Sequence, residues 1–208
     1  MLHNMSNRAT LGCSPSRGAF GTCLYFVLTL GLILLLGFGL RVHRLADDSI
    51  WWDEGFSVWM SRMPIPRMLD STANDAHPPL SYALLHSWRL LVGQEEYALR
   101  LLSVFLGVLN IGLAYRLGRE SGGRWVGAAG ALLVATARLP VWWSQEIRMY
   151  TLAALLATGS LWAAIRLFTG RGWAWGWVLI LAVSSALGLL TLYLYASVLL
   201  AQNIAFVY

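Results

Sequence analysis

The sequence predicts an all-α, polytopic transmembrane protein of about six spans, the last incomplete, with interfacial helices in a long first outer loop. Three observations carry that prediction. Of 208 residues, 58% are hydrophobic and 12% charged, and the mean hydropathy is +0.60, outside the usual range of a soluble domain. Residues 18–40 carry no charge over 23 positions and residues 172–208 none over 37, where about 20 apolar residues suffice to cross a bilayer as a helix. Finally, eight of the ten acidic residues (Asp47, Asp48, Asp53, Glu54, Asp70, Asp75, Glu95 and Glu96) gather between positions 41 and 96.

Taken in order, residues 18–40 form the first span. Arg8 and Arg17 precede it as they would in a signal peptide, but the run exceeds the usual h-region of about 7–15 residues, and no A-x-A site follows. Further spans are expected at about 97–116, 125–143 and 150–166. The final uncharged run is too long for one helix and divides near Tyr193 and Tyr195, aromatic residues suited to an interface belt, into spans 173–193 and 196–208. On this reading residues 1–208 are the N-terminal part of a single membrane domain whose sixth span is cut short.

Residues 79–92, "PLSYALLHSWRLLV", decide the topology. The run is short and contains His86 and Arg89; at 100° per residue Leu80, Leu84, Trp88 and Leu91 share one side, Ser81, Tyr82, His86 and Arg89 the other. That pattern fits a helix lying along an interface. Lying flat, it leaves Arg8, Arg17, Arg116, Arg119, Arg124, Arg166 and Arg171 on the cytoplasmic side, as the positive-inside rule prefers. The expected topology is therefore an integral multi-pass protein of the plasma (inner) membrane with a cytoplasmic N-terminus. Residues 41–96 form one outer loop, and "WWSQEIRMY", residues 142–150, lies in a second.

The net charge of +5 comes from scattered arginines without the clustered basic face that nucleic acid requires, so nucleic acid is excluded as a partner. All 15 basic residues are Arg, a bias that codon usage explains as well as phosphate binding does. Cys13 and Cys23 lack metal-ligand spacing. There is no internal repeat, P-loop, GxSxG or HExxH pattern.

What remains is a set of polar groups at one interface. Asp53 and Glu54 sit between tryptophans in "WWDEGFSVW"; Asp53 fits an N-cap for a helix over residues 54–61, and the pair also fits a proton acceptor with a geometry-fixing neighbour. "DAHPPL" fixes His77 just ahead of the interfacial helix, although a plain helix start needs only one proline. Glu146, Arg148 and Tyr150 precede the fourth span: Glu146 fits a favourable helix-dipole contact, Tyr150 a belt aromatic, and Arg148 a forked phosphate contact at the outer mouth. Arg100 and Arg138 are weaker phosphate candidates that snorkelling explains equally well.

In order and spacing, the "DE" loop, "HPPLSYALLHSW", "EEYALRLLSVFLGVLNIGLAYRLGRE" and "WWSQEIRMYTLAALLA" resemble the N-terminal part of GT-C membrane glycosyltransferases, in the branch of protein O-mannosyltransferases and lipid A aminoarabinose transferases. The resemblance runs from about residue 24 to 202. It implies transfer of a sugar from a polyprenyl-phosphate-linked donor to a lipid, glycan or protein acceptor on the outer (periplasmic or lumenal) face, with inversion. It also implies roles: Asp53 as the catalytic carboxylate with Glu54 beside it, and His77, Arg148, Tyr150 and Arg100 toward the donor phosphate. Glu146 would contact a cation or the donor. A divalent cation (Mg or Mn) is compatible with this reading but not required by it. Thr191, Leu192 and Tyr193 stand where relatives often carry a "THY"-like string, so Leu192 replaces the His that a metal site of that kind would use.

Two other classes stay open. A membrane transporter would place ionisable groups near mid-span, whereas here the charges sit at the mouths of the expected spans and Asn110, deep in one, is uncharged. A non-catalytic assembly subunit of a cell-envelope glycan pathway would need no complete donor pocket, and on that reading the chain is inactive alone.

Overall fold

In the computed structural model, residues 17–73, 77–170 and 174–207 are described; Arg8, Cys13, Asp75, Arg171 and the side chains of Arg17 and Cys23 lie outside them. The described chain is helical: α1 (Arg17–Val42), α2 (Trp52–Arg62), α3 (Ile65–Thr72), α4 (Leu80–Val92), α5 (Glu96–Gly122), α6 (Arg124–Thr136), α7 (Arg138–Trp143), α8 (Tyr150–Phe168), α9 (Ala174–Leu189) and α10 (Tyr195–Val207). Segments Leu24–Val42, Glu96–Gly122 and Tyr150–Phe168 are long and apolar enough to cross a membrane; α6 and α9 are apolar but shorter. Leu32, Leu35, Leu133, Leu179 and Leu200 are all exposed by more than half, the surface expected where lipid covers the helices.

The single span expected over residues 125–143 is two helices, α6 and α7. Ala137 between them is extended at φ −64°, ψ 138°. Pro140 accounts for the break: in a continuous helix its ring would strike the carbonyl four residues back, at Thr136, whereas in the first turn of a new helix it removes only an N–H that has no partner.

α5 is the central helix, packed against α1, α4, α6 and α8. Its turn into α6 uses Gly123 at φ 87°. A Cβ on Gly118 would lie 2.8 Å from the Val126 carbonyl oxygen, and one on Gly127 2.7 Å from that of Tyr115, so small residues let the two backbones meet directly. Ile33, Ile111, Ala131 and Ala135 fill the space between α1, α5 and α6. At that turn's end of the bundle, Arg166 pairs with Glu120 at 2.8 Å and lies 4.9 Å from the Trp177 ring centre.

The opposite end carries the loop helices. Val58, Leu85, Leu99 and Ile147 form one cluster joining α2, α4, α5 and the 144–149 turn, while Met60, Met68 and Tyr82 join α2, α3 and α4. α4 lies on the protein through Tyr82 and Leu85, with Leu90 and Leu91 exposed. His86 Nδ1 is 2.7 Å from the Ser61 carbonyl oxygen, and Trp88 Nε1 donates to Ala98 O at 2.9 Å. The two acidic segments, 41–96 and 142–150, therefore meet at one end of the bundle.

Candidate active site

α2 begins at Trp52, two residues earlier than the N-cap expectation required, so Asp53 lies inside the first turn and no side chain caps the helix. Two adjacent carboxylates in that turn still favour the helix dipole. Consecutive helical residues diverge by about 100°, and the two carboxylates accordingly serve different partners.

Glu54 points inward and is 1% exposed. Its Oε1 accepts from the Ile147 N–H at 2.9 Å and from Arg100 Nε at 3.2 Å; its Oε2 accepts from Arg100 Nη2 at 2.9 Å. Arg100 is equally committed: Nη1 donates to Leu45 O at 2.7 Å and Asp48 O at 2.8 Å, and Nη2 pairs with Glu96 at 3.0 Å. A buried ion pair survives when further hydrogen bonds satisfy both ions, and that condition is met here. Arg100, expected toward a donor phosphate, has every N–H engaged, and Glu54, expected beside Asp53 in catalysis, has both oxygens in hydrogen bonds. They tie α2, α5, the end of the first span and the 144–149 turn together.

Asp53 faces the other way, its side chain 41% exposed, and its Oδ2 lies 3.5 Å from Arg148 Nη2. Arg148 Nη1 donates to the Asp53 carbonyl at 3.3 Å, and Nη2 donates to the Tyr150 hydroxyl at 3.4 Å. The Tyr150 ring centre is 5.5 Å from the guanidinium carbon. Trp143 packs against Tyr150 with ring centres 5.4 Å apart and the rings tilted by 31°. These contacts all sit at the long end of the hydrogen-bond range: they orient the guanidinium without saturating it. The structure thus unites Asp53, Arg148 and Tyr150 from two loops.

Glu146 is 8% exposed and its carboxyl makes no hydrogen bond among the described residues. It faces a cavity of about 350 Å³ shared with Arg44, Trp51, Glu54, Arg100 and Trp142. Burial, reinforced by Glu54, pushes its carboxyl above the ordinary range, while Arg148 and Arg100 pull it back. As a metal ligand Glu146 lacks company. Among the described residues no three His, Cys, Asp or Glu side chains are placed to share an ion, and Glu54 is spent on Arg100 and Ile147. No step is routed through a divalent ion.

His77 sits at the turn before α4, where Pro78 is fully buried and the Leu80 N–H donates to Leu190 O at 3.0 Å. That bond attaches the His77 segment to the corner between α9 and α10, which contains Thr191, Leu192 and Tyr193. Arg138 is exposed at the start of α7.

Four contributors were not foreseen. Arg41, fully buried, donates to Gly37 O, Val134 O, Ala135 O and Ser144 Oγ at 2.9–3.1 Å, so it satisfies the last carbonyls of α6. Gly107 makes room for it: a Cβ there would strike Ser144 Oγ and lie 2.8 Å from Arg41 Nε. Gln145 Nε2 does the same for α1, reaching the carbonyls of Leu40, Arg41 and His43. Ser103 Oγ holds the Glu146 carbonyl at 2.6 Å. An arginine at a span end was the only signal for Arg41, and it equally suits snorkelling.

The family model of dolichyl-phosphate-mannose-protein mannosyltransferase matches residues 76–208, well over half of the sequence. The chain belongs to this family. It is accordingly a membrane glycosyltransferase of the GT-C kind, and the family implies in general a polyprenyl-phosphate-sugar donor with a protein or lipid acceptor. His77, Arg100, Glu146, Arg148 and Tyr150 fall inside the matched stretch, while Asp53 and Glu54 precede it. No curated protein and no solved structure matches the chain.

Proposed function

We propose that this protein transfers a sugar from a polyprenyl-phosphate carrier to a hydroxyl or amine acceptor at the outer face of the inner membrane, inverting the anomeric centre. The observation that carries the reading is the 3.5 Å approach of Asp53 to Arg148, a partly exposed carboxylate beside a barely saturated guanidinium. Transfer needs both groups. The acceptor oxygen or nitrogen attacks the anomeric carbon, its proton passes to Asp53, and the bond from that carbon to the phosphate oxygen breaks with its electron pair leaving on phosphate. Arg148 stabilises the phosphate as charge develops, with Tyr150 orienting the guanidinium.

Glu54 and Arg100 act in this reading as the frame that holds α2 against the 144–149 turn. Arginine assistance suffices for a leaving phosphate that is already on its carrier, so the scheme requires no cofactor. A transporter is disfavoured because the charged groups lie toward the two ends of the bundle rather than at mid-span.

Membranes carrying the complete protein test the assignment. With labelled lipid-linked sugars, Asp53→Asn should lose transfer by about 10²- to 10⁴-fold while still inserting, and Arg148→Ala should raise the donor KM. Full activity of the Asp53→Asn protein refutes the base, and an unchanged donor dependence in Arg148→Ala refutes the phosphate contact.

A further inference from the structure

We propose that Ser81, on α4, is a positioning residue for Arg148 and acts through one internal water; the kinetic part of this inference rests on the transferase reading above. The starting point is a pair of buried polar atoms that the protein leaves unsatisfied. Arg148 Nε and Ser81 Oγ are both shut off from the surface without a hydrogen-bond partner, and the Arg148 side chain is only 6% exposed. Each such group costs free energy unless something pairs with it.

Both residues line the same cavity, between α2, α4, α5 and the turn that carries Arg148. About 30 Å³ of it is open to a water-sized molecule, enough for about one water, which needs roughly 10–15 Å³ measured this way. Ser57 and Ser103 line it too. Their hydroxyls already donate, to Asp53 O at 3.1 Å and to Glu146 O at 2.6 Å, so each oxygen keeps lone pairs to accept with. A water there accepts from Arg148 Nε–H, exchanges a bond with Ser81, and donates to the two remaining serines, within the usual two to four partners. Tyr82 also lines the cavity, and the rest of its wall, Leu85, Leu99 and Leu102 among it, is apolar, which leaves few places for a polar contact.

The consequence is orientational. The Nη groups of Arg148 are held by contacts of 3.3–3.5 Å, so a shorter bond at Nε adds a firmer constraint on the plane of the guanidinium. Ser81 supplies that anchor from the helix that follows the His77 turn, which couples the seating of α4 to the aim of the arginine.

Two measurements on the full chain decide it. In transfer assays Ser81→Ala should raise the donor KM by about 5- to 10-fold, with kcat within about twofold, and Ser81→Thr, which keeps the hydroxyl, should restore it; a merely structural loss would lower the active fraction and leave KM alone. Independently of activity, a thermal-unfolding cycle in detergent pairs Ser81→Ala with Arg148→Lys, which replaces Nε–H by a methylene. If one water links the two, the combined Tm loss falls short of the sum of the single losses. Additive losses overturn the proposal whatever the kinetics. Should the wild-type protein transfer no sugar, the transferase reading falls, and the thermal cycle still decides the role of Ser81.

Discussion

Adjacent carboxylates on a helix face different neighbours, and residues 53 and 54 show how much follows from one step of rotation. Glu54 is spent on a buried pair with Arg100, and breaking such a pair from one side leaves an uncompensated charge. Glu54→Ala should therefore cost about 3–5 kcal/mol, read as a fall in Tm of the detergent-solubilised protein, whereas Asp53→Asn, at a partly exposed site, should leave Tm nearly unchanged. Glu146 gives a pH test. Burial raises its folded-state carboxyl above the ordinary 4.5, so between the two values the folded protein binds more protons than the unfolded chain. Stability from this group is thus lost as pH rises from about 4.5 through the raised value. Glu146→Gln should flatten that part of the Tm-against-pH curve and unfold at a higher temperature than wild type at neutral pH. Which of these residues shared a face was legible in the sequence, because charge distribution assigned both loops to one side. That Arg100 is a structural anchor was not: an arginine at a span end looks the same whether it snorkels, binds phosphate or meets a buried carboxylate 46 positions away.

Among the elements, the long uncharged runs made the membrane helices readable, and the amphipathic spacing of residues 79–92 identified α4. The division of the third span into α6 and α7 was also present in the sequence, in Pro140, whose ring forbids a continuous helix past Thr136. What periodicity could not reveal was how α6 is finished. Its carbonyls at Val134 and Ala135 are met by Arg41 from another helix, a long-range partner with no local signature. Replacing Arg41 by Met should leave those carbonyls unpaired and cost about 1–3 kcal/mol for each unsatisfied group, measurable as earlier proteolysis at the α6–α7 junction and a lower Tm. The Arg41→Lys protein, with fewer donors in another geometry, should recover only part of the loss.

For the molecule as a whole, the acidic loop and the 142–150 segment meet at one end, and the Glu120–Arg166 pair closes the other. On the proposed function the first end lies outside the cell membrane. In a background without native cysteines, single cysteines at Ser49 and Arg138 should react with a membrane-impermeant maleimide added from outside, and one at Arg116 only after permeabilisation; the reverse pattern inverts the topology. The central claim is chemical, and the most direct measurement uses the complete protein in sealed, outward-facing membranes with radiolabelled polyprenyl-phosphate-sugar. Label should leave the lipid phosphate for an acceptor in wild-type membranes and stay on it in the Asp53→Asn protein. Label retained on the lipid by wild type with donor and acceptor supplied, or released equally by Asp53→Asn, contradicts that claim.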